Sequence, residues 1–118
     1  MTTFDFLSRE PDIRAYKRGQ VIFKQGDPGG DCMFAVVEGA ISIELGGVTV
    51  ERVLPVALFG EMALIDQRLR SATAVAAADS RLAVIDKKRF LRLVEQTPHF
   101  AIHMMQVMSE RLRRAGEH

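Results

Sequence analysis

Two oppositely charged residues, Glu61 and Arg70, mark the part of the chain best suited to chemistry. Gly60 precedes the glutamate, and Ser71 follows the arginine. Glycine lets a ligand approach the backbone, and residues 61–65 are helix formers whose free N–H groups would face that ligand. A helix start of this kind favours an anion, which a guanidinium and a hydroxyl would also bind. A carboxylate beside the anion is useful only if the ligand also carries donors, as a sugar hydroxyl does.

Short strands separated by glycine turns surround this segment and must position it. Gly46-Gly47 predicts a tight hairpin between two of them. The pattern predicts a mainly β fold with terminal helices, either a β-sandwich or a barrel. Residues 4–7 are expected to form a short helical turn that packs on the strands. Apolar or alternating runs predict strands at 21–24, 32–37, 41–45, 48–54, 73–78 and 81–85.

The C-terminal part of the sequence changes to a helical period. Residues 87–96 place Phe90, Leu91 and Val94 on one face. Thr97-Pro98 then predicts a break, with the threonine as the cap and the proline in the first turn of a second helix. That helix carries an apolar face that we expect to be buried, formed by Ile102, Met105, Met108 and Leu112.

Composition narrows the function classes. The net charge is +1, so no global field attracts nucleic acid; residues 1–86 carry 9 basic and 12 acidic groups, a net −3, and residues 87–118 carry 7 basic and 3 acidic groups, a net +4. No apolar run reaches the roughly 18 residues of a membrane helix, and no signal peptide is visible. A single cysteine, Cys32, is expected to be a buried apolar residue, which favours a cytoplasmic location.

Two motifs in this chain resemble the phosphate-binding cassette of the cyclic-nucleotide-binding domain family. They are Phe59-Gly-Glu-Met-Ala-Leu64 and Arg70-Ser-Ala-Thr73. Residues 18–27 resemble the family's first strand and turn, and residues 33–43 resemble its central hairpin. The resemblance extends over about residues 14–112. The family includes the sensor domain of the catabolite activator protein, regulatory subunits of protein kinase A and cyclic-nucleotide-gated channels.

The resemblance implies an eight-stranded β-roll (a jelly roll) over roughly residues 18–86. It also implies a sensor of cyclic AMP or cyclic GMP that is not an enzyme and needs no further cofactor. It implies that the amides of the cassette meet the cyclic phosphate and that Arg70 pairs with it. Glu61 would accept a hydrogen bond from the ribose 2′-OH, and Ser71 would touch the phosphate or the base. The residues it assigns to ligand binding are Gly60, Glu61, Met62, Ala63, Arg70 and Ser71. Removing the Arg70 side chain is expected to weaken binding and to leave the stability of the fold almost unchanged.

One stretch departs from the family pattern. Pro55-Val56-Ala57-Leu58 stands where the family usually has a glycine about four residues before the glutamate. We therefore expect a changed affinity or base preference.

Other function classes fit less well. A metal enzyme on a similar β-roll needs ligands on strands, but His99, His103 and His118 all lie after the predicted strands. His99 and His103 are four residues apart on a helix and lack a third ligand nearby. A DNA-binding regulator of this family would carry a helix-turn-helix after the long helix, where this sequence ends.

Two readings stay open beside the sensor. The chain could be a ligand-free interaction module that uses its last helix, or the sensor fragment of a larger regulator without its output domain. The expected partner besides the nucleotide is a second copy, through the C-terminal helix, or an unidentified effector protein. Binding is expected to reorient residues 88–115 relative to the roll.

Overall fold

Two antiparallel sheets form the body of the molecule. The computed structural model of the protein describes residues 5–55, 57–61 and 69–116, and only the backbone of residues 5, 6 and 114–116. Within these ranges the strands are β1 (Ile13–Tyr16), β2 (Val21–Phe23), β3 (Cys32–Glu38), β4 (Ile41–Leu45), β5 (Val48–Val53), β6 (Leu58–Phe59), β7 (Thr73–Ala76) and β8 (Ser80–Asp86). One sheet has the order β1-β8-β3-β6 and the other β2-β7-β4-β5.

Apolar side chains from both sheets meet in a single cluster. Alternation along the strands sends every second side chain inward, so that each sheet contributes a buried face. The predicted mainly β jelly roll is confirmed, although its first strand begins at Ile13 rather than near Arg18. The buried members of this cluster are Phe34, Val36, Ile41, Val53, Phe59, Ala74, Ala76, Leu82 and Val84.

Strands β1 and β6 were missed by the sequence analysis because both are short. β6 has two residues, and β1 has four residues that are half-buried or exposed and include a charged Arg14. Neither gives the alternation that marks a longer strand. The predicted β4–β5 hairpin is confirmed: Gly46 and Gly47 have φ values of 59° and 83°, as a two-residue turn of the favoured twist requires.

Helical segments precede and follow the strands along the chain. A 3₁₀ helix spans Asp5–Arg9 and packs against β3, with Leu7 fully buried. Helix α1 spans Lys87–Gln96 and α2 spans Pro98–Gly116, as the sequence predicts. Thr97 separates the two helices. Its N–H donates to the Leu93 carbonyl at 2.7 Å, and its carbonyl accepts from the Phe100 N–H at 2.9 Å.

The chain divides into two compact units, residues 1–87 and 88–118. Within the second unit the Phe90 and Phe100 rings lie 5.8 Å apart. Among the described side chains of this unit, the buried ones are Leu93, Phe100 and Met104. No described helix has the length and hydropathy needed to cross a membrane.

Three of the four residues of the apolar face predicted on α2 are exposed in the single chain. Ile102, Met105 and Leu112 have relative solvent exposures of 49%, 61% and 73%, and Met108 is half-buried. Phe100 and Met104, four residues apart, lie on one side of the helix and are buried. That a bound nucleotide or a second chain covers the exposed face stays a prediction.

Candidate functional site

Hydrogen bonds to the turn at Gly26 and Asp27 fix the backbone of Arg70. The Gly26 N–H donates to the Arg70 carbonyl at 2.8 Å, and the Arg70 N–H donates to the Asp27 carbonyl at 2.8 Å. Gly26 has a φ of 90°, which only glycine adopts without strain. Beside it, the Gln25 N–H donates to the hydroxyl of Thr73 at 2.9 Å. The sequence predicts this turn only as a connection between strands, whereas its hydrogen bonds position Arg70 in the structure.

The guanidinium of Arg70 lies where edge strands of both sheets come together. Its Nη1 donates to the Gly60 carbonyl at 3.1 Å, directly after β6, and its Nη2 donates to the Cys32 carbonyl at 3.0 Å, at the start of β3. Its Cζ lies 4.2 Å from the centre of the Phe23 ring on β2 and 5.8 Å from that of Phe34. Phe23 and Cys32 were not predicted to belong to the site, and no local sequence signal marks them.

Gly60 is required because the arginine approaches it closely. Its φ is 75°, and a Cβ added there would lie 2.9 Å from Nη1 of Arg70 and 3.4 Å from the Phe34 ring. The sequence suggested that this glycine admits a ligand. In the structure, the group that comes close to it is a side chain of the protein itself.

Burial and the nearby charges act on Arg70 in opposite directions. Burial lowers the pKa of the Arg70 guanidinium, while the negative charges of Asp27 and Glu61 raise it. Glu61 directly follows Gly60 and is buried, with 4% of its surface exposed. A half-buried cation gains from an added anion, because water solvates it incompletely. The arrangement can therefore bind an anionic group next to a buried carboxylate.

Cys32 is half-buried rather than buried as expected. Its thiol donates to the Asp31 carboxylate over 3.8 Å. Burial raises the pKa of the Cys32 thiol, and the charges of Asp31 and Asp86 raise it further. The thiol is thus held in its neutral form, and the part of Cys32 that serves the site is its backbone carbonyl.

The structure brings three of the six predicted site residues together, namely Gly60, Glu61 and Arg70. Ser71 follows Arg70 with an exposed side chain. Met62 and Ala63, with the remainder of the predicted cassette helix, lie outside the described residues. Strand β6 ends at Phe59, so residues 59–78 are not one continuous strand.

The stretch that departs from the family pattern closes a turn. The Ala57 N–H donates to the Leu54 carbonyl at 3.0 Å, and its own carbonyl accepts from the Val36 N–H at 3.0 Å. Val56 lies outside the described residues. Among the described residues, no group of three or more His, Cys, Asp or Glu side chains is placed to hold a metal ion.

Comparison with known proteins identifies the family. The family model described as "Cyclic nucleotide-binding domain" matches residues 13–97, which includes all eight strands and helix α1. This chain belongs to the cyclic nucleotide-binding domain family. The resemblance of the two cassette motifs is thereby confirmed at the level of the family.

Relatives of this domain occur in sensors and in larger regulators. The chain is 36% identical over 107 residues to the cyclic AMP receptor protein of Thermus thermophilus, covering 86% of this chain and 49% of that protein. A solved structure, reported for a cyclic-GMP-dependent signalling pathway that regulates bacterial phytopathogenesis, has a TM-score of 0.80 and 32% identity, covering 97% of this chain and 95% of that one.

A third relative joins the same fold to an enzyme. The cAMP-bound form of the EAL enzyme Bd1971 matches with a TM-score of 0.63 and 32% identity, covering 88% of this chain and 29% of that one. The chain spans half or less of the length of the first curated relatives, 49%, 25% and 24%.

Proposed function

We propose that this chain is a sensor domain that binds cyclic AMP or cyclic GMP and carries out no catalysis itself. The observation that carries the proposal is the half-buried guanidinium of Arg70, fixed beside Gly60 at the edge of both sheets. Its two described hydrogen bonds go to carbonyls, and a guanidinium has five N–H groups. N–H groups not used by the carbonyls serve the cyclic phosphate.

The other residues then take complementary roles. The buried carboxylate of Glu61 accepts from the ribose 2′-OH, a hydroxyl that a cyclic 3′,5′-phosphate leaves unmodified. The amides of Gly60, Met62 and Ala63 add donors to the phosphate. Ser71, whose side chain is exposed, contacts the phosphate or the base.

The preferred nucleotide is the finer part of this proposal. Relatives are connected with each of the two ligands, one as a cyclic AMP receptor and one in a cyclic-GMP-dependent pathway. A hydroxyl at Ser71 offers guanine a hydrogen bond that adenine does not need. We therefore propose that both nucleotides bind and that Ser71→Ala weakens cyclic GMP more than cyclic AMP.

Output through the C-terminal unit is the second finer part. Residues 88–118 form a compact unit of their own, and α2 exposes Ile102, Met105 and Leu112. A stripe this apolar gains by being covered, either by a second copy or by an effector protein. We propose that the nucleotide reorients residues 88–115. Hydrogen exchange on α2 with and without nucleotide, together with sedimentation, tests this: identical protection and a monomer in both states would contradict it.

Calorimetric titration with each nucleotide tests the central claim. Saturable heat with cyclic AMP or cyclic GMP, and none with 5′-AMP at the same concentration, is the expected result. Arg81→Ala is the matched control, because Arg81 is a half-exposed arginine on β8 that pairs with Glu38 at 3.7 Å. Absence of heat with both nucleotides would overturn the proposal in favour of an interaction module. A cytoplasmic location, no further cofactor and no nucleic-acid partner stay predictions from the sequence.

A further inference from the structure

The guanidinium carbon of Arg70 lies over the face of an aromatic ring. The distance of 4.2 Å between Cζ and the centre of the Phe23 ring lies well within the roughly 6 Å over which a ring face attracts a cation. Phe23 ends β2, an edge strand of the second sheet. Of the two carbonyls that accept from Arg70, that of Gly60 directly follows β6 and that of Cys32 begins β3, and both strands belong to the first sheet. The Phe23 ring therefore links the guanidinium to the second sheet as well.

The Phe23 ring has a fixed place of its own. It lies 5.9 Å from the Phe34 ring and 6.1 Å from the Phe59 ring. Those two rings stack on each other at 5.2 Å, as residues paired across β3 and β6. Phe34 and Phe59 are both buried. A ring supported in this way is a fixed surface, and the Cζ atom of Arg70 lies over its face.

A ring and two carbonyls hold an arginine differently from a carboxylate. A carboxylate that pairs with both nitrogens occupies the in-plane donors and cancels the charge. Carbonyls carry no full charge, and a ring face takes none of the in-plane N–H groups. Among the described residues, the hydrogen bonds and ring contacts of this guanidinium are of these two kinds, while Asp27 and Glu61 act on it electrostatically. The cation is therefore positioned while in-plane N–H donors remain for an anion.

We propose that Phe23 is a positioning residue of the anion site, and that its ring fixes the orientation in which Arg70 presents its N–H groups to the ligand. The inference deepens the proposed function and rests on it for the binding arm of its test. The alternative is that Phe23 is a core residue only, which acts on stability and not on the guanidinium.

The first arm of the test needs no nucleotide. In the full chain, the guanidinium N–H signals of Arg70 should carry the shift that the ring current of a stacked ring produces. Phe23→Leu should move them toward those of a solvated arginine, whereas Phe23→Tyr, which keeps the ring, should not. Tyr16→Leu is the matched control, because Tyr16 is a partly buried ring on β1 that packs against the same core.

The second arm measures affinity for cyclic AMP and cyclic GMP. Phe23→Leu should weaken binding by about three- to thirtyfold, the worth of a partly desolvated cation–π contact. Phe23→Tyr should stay within about twofold of the unmodified chain, since the ring face is retained. In an Arg70→Ala background the same Phe23→Leu change should have almost no further effect, because no guanidinium remains to be oriented.

The outcomes separate this inference from the proposed function. If the unmodified chain binds neither nucleotide, the proposed function fails. The measurement of the Arg70 N–H signals then decides the role of Phe23 by itself. If the chain binds and Phe23→Leu leaves both the Arg70 signals and the affinity unchanged, the inference is overturned. An equal loss in the Arg70→Ala background would also overturn it. If Phe23→Leu does not fold, Phe23→Met replaces it, and failure of both to fold assigns Phe23 to the core alone.

Discussion

Two glycines of this molecule lie against polar side chains, and the two places differ in what those side chains do. Gly39, with a φ of 96°, faces Ser80, and an added Cβ would lie 2.5 Å from the Asp79 carbonyl. The Ser80 hydroxyl accepts from the Ala40 N–H at 3.1 Å and donates to the Ala78 carbonyl at 2.7 Å. This neutral group is buried, and the backbone satisfies it.

Gly60 faces Arg70, and there the polar group is a half-buried cation. Its described hydrogen bonds go to two carbonyls, and burial lowers its pKa. A satisfied neutral hydroxyl has nothing left to offer a ligand, whereas a partly desolvated cation still favours an anion. Close approach to a glycine therefore does not identify a functional site, but the charge left beside that glycine does. Variants at Gly39 and at Gly60 should therefore affect stability and ligand affinity differently.

The largest effect is expected from Arg70→Ala. Removing one partner of a buried charge pair costs about 3–5 kcal/mol, and each 1.4 kcal/mol is about tenfold in affinity. Nucleotide affinity measured by calorimetry should therefore fall by about two to three orders of magnitude. An unchanged affinity would exclude Arg70 from the site.

The structure also changes the expected effect of Arg70→Ala on the fold. The sequence suggested almost no change in stability, but Arg70 donates to two carbonyls and stacks on Phe23. The free energy of unfolding without ligand should therefore drop by about 1–3 kcal/mol. Urea unfolding measures it, and Arg81→Ala, a half-exposed arginine, should stay close to the unmodified chain.

Gly39→Ala should give the reverse profile, with lost stability and retained affinity. The Cβ would meet the backbone of Asp79, which cannot move aside as a side chain can. The free energy of unfolding should fall by about 3 kcal/mol, from overpacking and strain together. Gly19→Ala is the control: its φ is 89° and an added Cβ meets nothing within 4 Å, so only the conformational cost of about 1–2 kcal/mol applies. Equal losses in the two variants would show that the close contact at Gly39 matters little.

The effect of Gly60→Ala on nucleotide affinity should lie between that of Arg70→Ala and that of Gly39→Ala. The added Cβ meets the end of a flexible side chain, Nη1 of Arg70, at 2.9 Å. The guanidinium can shift, so stability should fall by only about 1–2 kcal/mol, the cost of the positive φ. The shift moves the N–H groups from their place, and affinity should fall about tenfold. Calorimetry and urea unfolding of the same preparation measure both, and retained affinity would show that the position of Arg70 tolerates displacement.

The fold could be predicted from the sequence because its signals are local. Gly46-Gly47 specifies a turn, and Thr97-Pro98 specifies a helix break, in each case through the backbone preferences of adjacent residues. Gly60, Glu61 and Arg70 were found because they stand in a recognisable motif. Phe23 and the Cys32 carbonyl could not be found, because they reach Arg70 only when strands distant in sequence pack together. The group that covers the apolar face of α2 could not be predicted either, because an apolar pattern indicates a surface to be covered and does not indicate by what.

The smallest expected effect concerns Glu61, the buried carboxylate beside Gly60. If it accepts from the ribose 2′-OH, a 2′-deoxy cyclic nucleotide should bind the unmodified chain more weakly than the natural ligand. The net worth of one hydrogen bond, about 1 kcal/mol, corresponds to about a fivefold loss of affinity. Calorimetry with the two ligands measures this difference directly.

Glu61→Gln completes the comparison, because it keeps the shape of the side chain and removes its charge. The weaker acceptor should bind the deoxy and natural nucleotides almost equally, so that the ligand change and the residue change are coupled rather than additive. Ser80→Ala is the counterpart at the other glycine: it should lower stability and leave the preference for the 2′-hydroxyl intact, since the Ser80 hydroxyl serves only the backbone in the described structure. Additive losses would show that the Glu61 carboxylate, like the Ser80 hydroxyl, holds the fold and does not touch the ligand.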